Sequence, residues 1–333
     1  MSNALRFNMT LPGLDPADMS SRYRAALEMG QLADRAGMQS ISIDEHHGSD
    51  DGWMPSPMLL AAMMAARTER IEIHLQALLL PLHDPLRVAE DLISLDLVSG
   101  GRFKVTLGVG YRPSEYLAHG KDWERRGALM DSCVADLLAA WRGQPIDRGG
   151  ATVHVTPRPL RAEPPFLIGG SSPVSARRAA RFGLALGPPA KLPELEDHYR
   201  SLCAELGVEA VVDSPPPVVS LLFVSEDPER AWHDLGAYLL HEATTYASWQ
   251  TADIQSSVHS YSFTASDLKA EGIYEILTPD EVLAKSDKLG DDVRWVLHPL
   301  CGGMPLDAAW ECVHLFVDRV LARQGERGAG TAV

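Results

Sequence analysis

Residues 40–48 read Ser40-Ile41-Ser42-Ile43-Asp44-Glu45-His46-His47-Gly48, a short isoleucine-rich strand that runs directly into two carboxylates and two imidazoles. Such a strand is stabilised by burial, whereas adjacent ionisable groups cost free energy to desolvate unless something satisfies or uses them. Their place at the end of a buried strand therefore predicts chemistry there. The stretch also sets the fold reading, because its neighbours on both sides repeat one pattern: an apolar run of strand length, then an amphipathic run of helix length. Candidate strands at 5–11, 39–43, 71–80, 102–109, 166–168, 184–186, 218–224 and 293–297 alternate with helical runs. The first helix opens at Ser20 or Ser21; the others fall at 57–67, 85–99, 123–141, 172–182, 193–206, 228–242 and 305–323. Eight such pairs predict an α/β fold, a (β/α)8 TIM barrel with insertions, over a sheet of parallel strands.

Two segments stand outside the repeat. Residues 143–163 read as a short β excursion bracketed by prolines, and 243–290 as a polar and aromatic insert of the kind that forms lids over barrels. Residues 1–323 are expected to form a single domain, with the glycine-rich 324–333 as a disordered tail. The second helical run, from Met58 to Ala66, is apolar all round, which predicts cover on both sides, by a second copy in a homodimer or by the chain's own 243–290 insert.

Composition excludes several classes. With 30 Lys and Arg against 45 Asp and Glu, the net charge of −15 argues against a nucleic-acid partner, which needs clustered cations to displace phosphate counterions. No run approaches the roughly 20 apolar residues of a membrane span, and the first residues lack a secretory h-region, so a cytoplasmic location is expected. The four cysteines are scattered and form no CxxC pair, so neither a zinc site nor a disulfide framework is indicated. The adjacent His46 and His47 are expected to point apart, which speaks against a metal-dependent hydrolase, and no metal ligands are assigned.

In a barrel, reactive groups gather at the C-terminal ends of the strands. The expected ends carry Glu45, His46 and His47; Gln76 and Ala77; Gly108, Val109 and Gly110; Gly169, Gly170, Ser171 and Ser172; and His298. Glycines at these ends let a flat or anionic ligand approach the backbone. Gly169 to Ser172 followed by a helix has the geometry of an anion site at a helix N-terminus, with Ser172 and Ser175 as added hydroxyls and Arg126 as a charged partner. Neither a Walker loop nor a dinucleotide fingerprint is complete, since Pro113 stands where the latter wants its third glycine.

Several motifs together resemble the bacterial luciferase-like flavin-dependent monooxygenases: Asp44-Glu45-His46-His47-Gly48, the run 79–91, Leu95-Asp96-Leu97-Val98-Ser99-Gly100-Gly101-Arg102-Phe103, Gly108-Val109-Gly110-Tyr111, Glu124-Arg125-Arg126-Gly127 and Ile168-Gly169-Gly170-Ser171. The run 95–103 is the most specific of them. The resemblance implies a usually dimeric barrel that binds reduced FMN, or the deazaflavin coenzyme F-420, at the strand ends. It implies His46 as the catalytic acid or base, with a pKa open to tuning by Glu45, and His47 as its neighbour. It also implies Ser172 and Ser175 as phosphate ligands and Gln76-Ala77 as a non-proline cis peptide under the flavin ring. Gly108 stands where light-emitting members carry a reactive cysteine, and Val109 where they carry a phosphate-clamping arginine; Arg112 or Arg126 would substitute for the latter. The activity implied is oxygenation of a small organic substrate with O2 and reduced FMN from a separate flavin reductase. Hydride transfer with the deazaflavin and non-catalytic flavin binding are the other readings of the same site.

Overall fold

The computed structural model describes residues 2–250, 256 and 258–324; the expected disordered tail falls, beyond Gln324, outside the described residues. The chain runs β1 (Ser2–Phe7), α1 (Pro16–Ala36), β2 (Ser40–Ile43), α2 (Pro57–Ala65), β3 (Glu72–Leu78), α3 (Pro85–Ser99), β4 (Phe103–Leu107), α4 (Pro113–Ala118) and α5 (Arg126–Trp141). A hairpin of β5 (Ile146–Arg148) and β6 (Ala151–Val153) precedes β7 (Phe166–Gly169), α6 (Pro173–Phe182), β8 (Ala185–Gly187) and α7 (Pro193–Leu206). Then come β9 (Val218–Val224), α8 (Pro228–Trp249), α9 (Ala265–Glu271), β10 (Tyr274–Leu277), α10 (Pro279–Leu289), β11 (Val293–Leu297) and α11 (Leu306–Leu315). All eight expected strands are present, and outside the hairpin every recorded strand pairing is parallel.

The described residues pack as two compact units, one drawn from those within 2–42, 49–54 and 215–324, the other from 43–48 and 55–214. The first holds strands in the order β10-β9-β11-β1-β2, the second in the order β3-β4-β7-β8. Their apolar side chains form the interior. Leu5, Ile41, Leu222 and Trp295 in the first unit, and Ile73, Val105 and Ile168 in the second, are buried, as parallel strands covered on both faces must be. Among the described residues no helix is long and apolar enough to cross a membrane.

Four boundaries differ from the sequence reading. The first helix starts at Pro16, four residues before the expected cap, because the Asp15 side chain already accepts from the N–H groups of Ala17 and Asp18. The strand expected at 5–11 ends at Phe7, and Met9 turns out of it with φ +63°. The helical run expected at 123–141 begins only at Arg126, as α5, and an additional short helix, α4, precedes it, with a turn through Gly120 (φ +63°) between the two. The segment 243–290 carries the end of α8 and then a strand–helix pair of its own: β10 lies parallel to β9 with Tyr274 opposite Leu221, and α10 follows behind a Thr278–Glu281 capping box. The chain there has a β/α character that its scattered aromatics conceal. The hairpin at 146–153 lies inside the expected excursion.

Candidate active site

The predicted catalytic and cofactor-binding residues all lie in the second unit, whereas His298 belongs to the first. After Ile43 the side chains divide by parity. Glu45 and His47 go one way and His46 the other, as alternation along an extended chain requires. His46 is 5% exposed, and its Nδ1 lies 2.9 Å from Glu115 Oε1 while its Nε2 lies 3.0 Å from the Tyr111 hydroxyl. Burial works to raise the Glu115 carboxyl, but the bonds from His46 and the His47 N–H and the charge of Arg112 outweigh it and hold it below the ordinary range. An ionised carboxylate only accepts, so the neutral His46 carries its proton on Nδ1 and its Nε2 accepts from Tyr111. Glu115 Oε1 also accepts from the His47 backbone N–H at 3.0 Å and from Arg112 at 3.2 Å. Its second oxygen is buried with no hydrogen-bond partner among the described residues.

The carboxylate hydrogen-bonded to His46 is thus Glu115 rather than Glu45, which corrects the sequence reading. Glu45 Oε1 instead receives His47 Nε2 at 2.9 Å and His83 Nε2 at 2.6 Å, and its Oε2 accepts from the Leu79 N–H at 2.5 Å. Burial alone would raise Glu45; the bonds from His47 and His83, the His83 charge and the Leu79 N–H bring it down to about 2. His119 stacks edge-on against His47, its centroid 4.4 Å away. Burial, and then the charges of His47 and His83, lower its affinity for a proton.

Tyr111, Glu115, His83 and His119 were not picked out as site residues in the sequence. Glu115 is 69 positions from His46, and its only local sign is the Arg112-Pro113 pair that opens α4. Gly110, with φ +80°, turns the chain after β4, and the Tyr116 hydroxyl donates to the Val109 carbonyl at 2.5 Å, so that Tyr111 and α4 follow in fixed order.

The expected flavin contacts resolve as follows. The Gln76–Ala77 peptide is cis. Gly108 packs against it: its N–H donates to Leu78 O at 2.8 Å, and a Cβ there would stand 3.0 Å from the Ala77 Cβ. A Cβ on Gly169 would stand 2.7 Å from Thr106 Cγ2, and one on Gly170 3.0 Å from the Ser175 Cβ. These glycines are therefore required by close packing of the chain on itself, a cause the ligand-approach reading passed over. Ser172 is the N-cap of α6 and makes no capping bond with its side chain, whereas the buried Ser175 hydroxyl donates to Ser172 O at 2.6 Å. Arg126 donates to Trp123 O at 3.0 Å, with its guanidinium 4.0 Å from the Trp123 ring centroid, and Trp123 in turn packs on Tyr116. Gln76-Ala77, Gly108-Val109-Gly110 and Gly169-Gly170-Ser171 sit at the same end of β3, β4 and β7, which run parallel.

The run 95–103 lies at the opposite end. Asp96, fully buried, accepts from the N–H groups of Leu160 and Arg161 at 2.7 and 3.2 Å and from Arg161 Nε at 2.7 Å. Arg102 donates to the carbonyls of Ala65, Thr68 and Ile71 and to the Thr68 hydroxyl. A cavity there is lined by Trp141, Arg142, Arg158 and Arg161 and contains none of the predicted site residues. The most specific motif is thus scaffolding. In the other unit, His298 at the end of β11 stands 3.2 Å from the buried Glu242, which also meets Arg6 at 3.3 Å and the Tyr274 hydroxyl at 2.8 Å.

This architecture defines a class. The family model for luciferase-like monooxygenases matches residues 6–288, and the chain belongs to that family. It is 31% identical over 169 residues to 4-hydroxyprotoasukamycin monooxygenase of Streptomyces nodosus subsp. asukaensis, covering 48% of this chain and 45% of that one. It is 25% identical over 234 residues to the oxygenase component of the flavin-dependent trigonelline monooxygenase of Acinetobacter baylyi, covering 65% and 63%. The matched stretches thus span about half to three fifths of these relatives. Among solved structures, monooxygenase RslO1 from Streptomyces bottropensis superposes with a TM-score of 0.75 at 23% identity, over 97% of this chain and 100% of that one. The oxygenating constituent of 3,6-diketocamphane monooxygenase from Pseudomonas putida, in complex with FMN, gives 0.64 at 18%, over 97% and 98%. An F420-dependent secondary alcohol dehydrogenase gives 0.64 at 15%, over 97% and 99%. These likenesses establish the fold, the β/α barrel of the family.

Proposed function

We propose that this chain is the oxygenase component of a two-component flavin-dependent monooxygenase that takes reduced FMN from a separate reductase and uses O2 to oxygenate a small organic substrate. The observation that carries the reading is the run Tyr111–His46–Glu115, a buried imidazole held in one tautomer between a hydroxyl and a carboxylate, following the same strand ends that carry the cis peptide and the α6 N-terminus. The site suits a flavin phosphate in one specific respect: the Ser172 hydroxyl, free of the capping bond its position normally makes, is left as a donor beside the α6 N-terminus. Ser171 and Ser172 would hold the phosphate, with Val109 contributing no charge and Arg126 held on Trp123 nearby. Ser175 would orient Ser172 through its carbonyl rather than touch the anion. The bound reduced flavin would supply two electrons and the reaction with oxygen.

What this chain's residues contribute is proton management. His46 Nε2, through Tyr111, can accept or return a proton at the reacting oxygen, while Glu115 stabilises the imidazolium that forms and keeps Nδ1 protonated. Glu45 and His47 act on this unit at one remove, through the His47 N–H that binds Glu115. The relatives' names support the oxygenase role, and the trigonelline enzyme's printed description as an oxygenase component supports a separate reductase. The fold shared with an F420-dependent dehydrogenase supports deazaflavin as the second reading, in which His46 would serve hydride transfer without oxygen. Pairing of two copies is part of the proposal and rests on α2, whose Leu59 stays 64% exposed.

The test is anaerobic titration of the protein with reduced FMN and with reduced F420, followed by an oxygen pulse, in wild type and His46→Ala. Quenching by FMN and oxygen-dependent turnover that falls by about 10²-fold or more in the variant is the expected result. Binding of F420 alone would install the second reading, and undiminished turnover in His46→Ala would remove the first.

A further inference from the structure

Beside the flavin reading, and independent of it, a second constellation stands in the same unit. The Glu45 side chain is fully shielded from solvent, and its Oε1 receives two imidazole nitrogens at once, His47 Nε2 at 2.9 Å and His83 Nε2 at 2.6 Å. One donor atom from each of the three lies within 4.8 Å of the others. His119, the residue that ends α4, adds a third imidazole: its centroid is 4.4 Å from that of His47 and 6.3 Å from that of His83, while His47 and His83 stand 6.0 Å apart. Three imidazoles bound to one ion through nitrogens at about 2.0–2.1 Å place their ring centroids roughly 4.5–6 Å apart, close to the 4.4–6.3 Å that these rings span. Two nitrogens and a carboxylate oxygen converge where only protons now mediate between them, and a cation could take the protons' place. In a tetrahedral arrangement the two oxygen–nitrogen separations, 2.9 and 2.6 Å, would open to about 3.3 Å. The second oxygen of Glu45 is held by the Leu79 N–H at 2.5 Å, which fixes the plane of the carboxylate in the way outer contacts orient metal ligands. His119 is exposed and can rotate its ring into the remaining position.

We propose that Glu45, His47 and His83, completed by His119, form a binding site for a divalent transition-metal ion, with Zn2+ the best match to imidazole nitrogens and one carboxylate oxygen. The ion would tie the loops after β2 and β3 to the end of α4. The same α4 carries Glu115, so the metal would stiffen the mount of His46 without touching the reacting atoms. The adjacent His46 takes no part, since it faces Glu115 and Tyr111.

The experiment uses the full untagged chain, stripped with chelator and titrated with Co2+ and with Zn2+. Calorimetry reports stoichiometry, and the visible absorption of bound Co2+ reports the ligand field. One saturable ion per chain is expected, with affinity lowered at least tenfold in His83→Ala and several-fold in His119→Ala. His233→Ala, altering an imidazole whose side chain is 87% exposed in the other unit, serves as the control and is expected to leave binding unchanged. His119→Ala is the safer variant for folding because that ring is exposed, and thermal unfolding of each variant separates lost ligation from a lost fold. Absence of saturable binding in wild type, or binding of wild-type strength in both His83→Ala and His119→Ala, would overturn the proposal. Quenching by reduced FMN in the metal-free protein reports the flavin site separately, so the two proposals fail independently.

Discussion

Glu115 accepts three hydrogen bonds on a single oxygen, from His46, the His47 N–H and Arg112. Glutamine at this position keeps an acceptor but loses the charge that stabilises an imidazolium. Glu115→Gln is therefore expected to lower kcat by about 10²-fold with flavin affinity nearly unchanged; equal losses in kcat and in flavin binding would instead indicate a general disordering of the site. Asp96 tests the opposite kind of residue. Replacing it with alanine leaves the Leu160 and Arg161 N–H groups and the Arg161 guanidinium without their acceptor, so Asp96→Ala is expected to cost about 3 kcal/mol of stability in urea unfolding. Quenching by reduced FMN should persist in whatever fraction remains folded. Loss of flavin affinity in folded Asp96→Ala would show that the scaffold reading of this residue is too narrow.

At the scale of elements, the close approach of β4 and β7 shows why some motif positions must be glycine. A Cβ on Gly169 meets the methyl of Thr106 at 2.7 Å, whereas the Thr106 hydroxyl has a separate partner, His74 Nε2 at 2.9 Å. Gly169→Ala is expected to destabilise by about 1–3 kcal/mol through overpacking. Thr106→Ser removes the clashing methyl and keeps the hydroxyl, so the double variant should recover most of that loss, a coupling read directly from a double-mutant cycle. Strict additivity of the two changes would rule out this contact as the reason for glycine. Helix α2 presents a different case. The sequence expected cover on both sides, and the structure buries Leu60, Ala61 and Met64 while leaving Leu59 exposed. If that residue meets a second copy, Leu59→Asp should shift sedimentation from dimer to monomer; an unaltered sedimentation coefficient would exclude α2 from any pairing.

For the molecule as a whole, acid stability is the measurable consequence of its buried charges. Burial alone would raise Glu242, but the charges of His298 and Arg6 and the bonds from His298 and Tyr274 bring it down to about 2. A carboxyl depressed in the folded state contributes stability that is complete above its ordinary pKa and is lost as the pH falls from about 4.5 toward 2. The amount is of order 3 kcal/mol. Denaturant unfolding between pH 7 and pH 3 should therefore show a steeper acid loss in wild type than in Glu242→Gln. Parallel curves would assign the acid sensitivity to other groups.

Much of this was legible from the chain alone because it depends on local pattern. The eight strands, the Asp84-Pro85 start and Gly100 stop of α3, and the arrival of Glu45, His46 and His47 at a strand end follow from periodicity, capping and turn chemistry, which act between near neighbours. What the sequence could not determine is pairing. That Glu115 rather than Glu45 faces His46, that Glu45 gathers His47 and His83, and that the most specific motif braces the far end of β4 depend on contacts between residues up to 69 positions apart. Alternation along residues 44–47 separates odd from even side chains, but only the packing of β3, β4 and α4 decides which carboxylate waits on each side. Local steric and capping preferences are written in adjacent residues, whereas the partner of a buried charge is chosen by the folded chain as a whole.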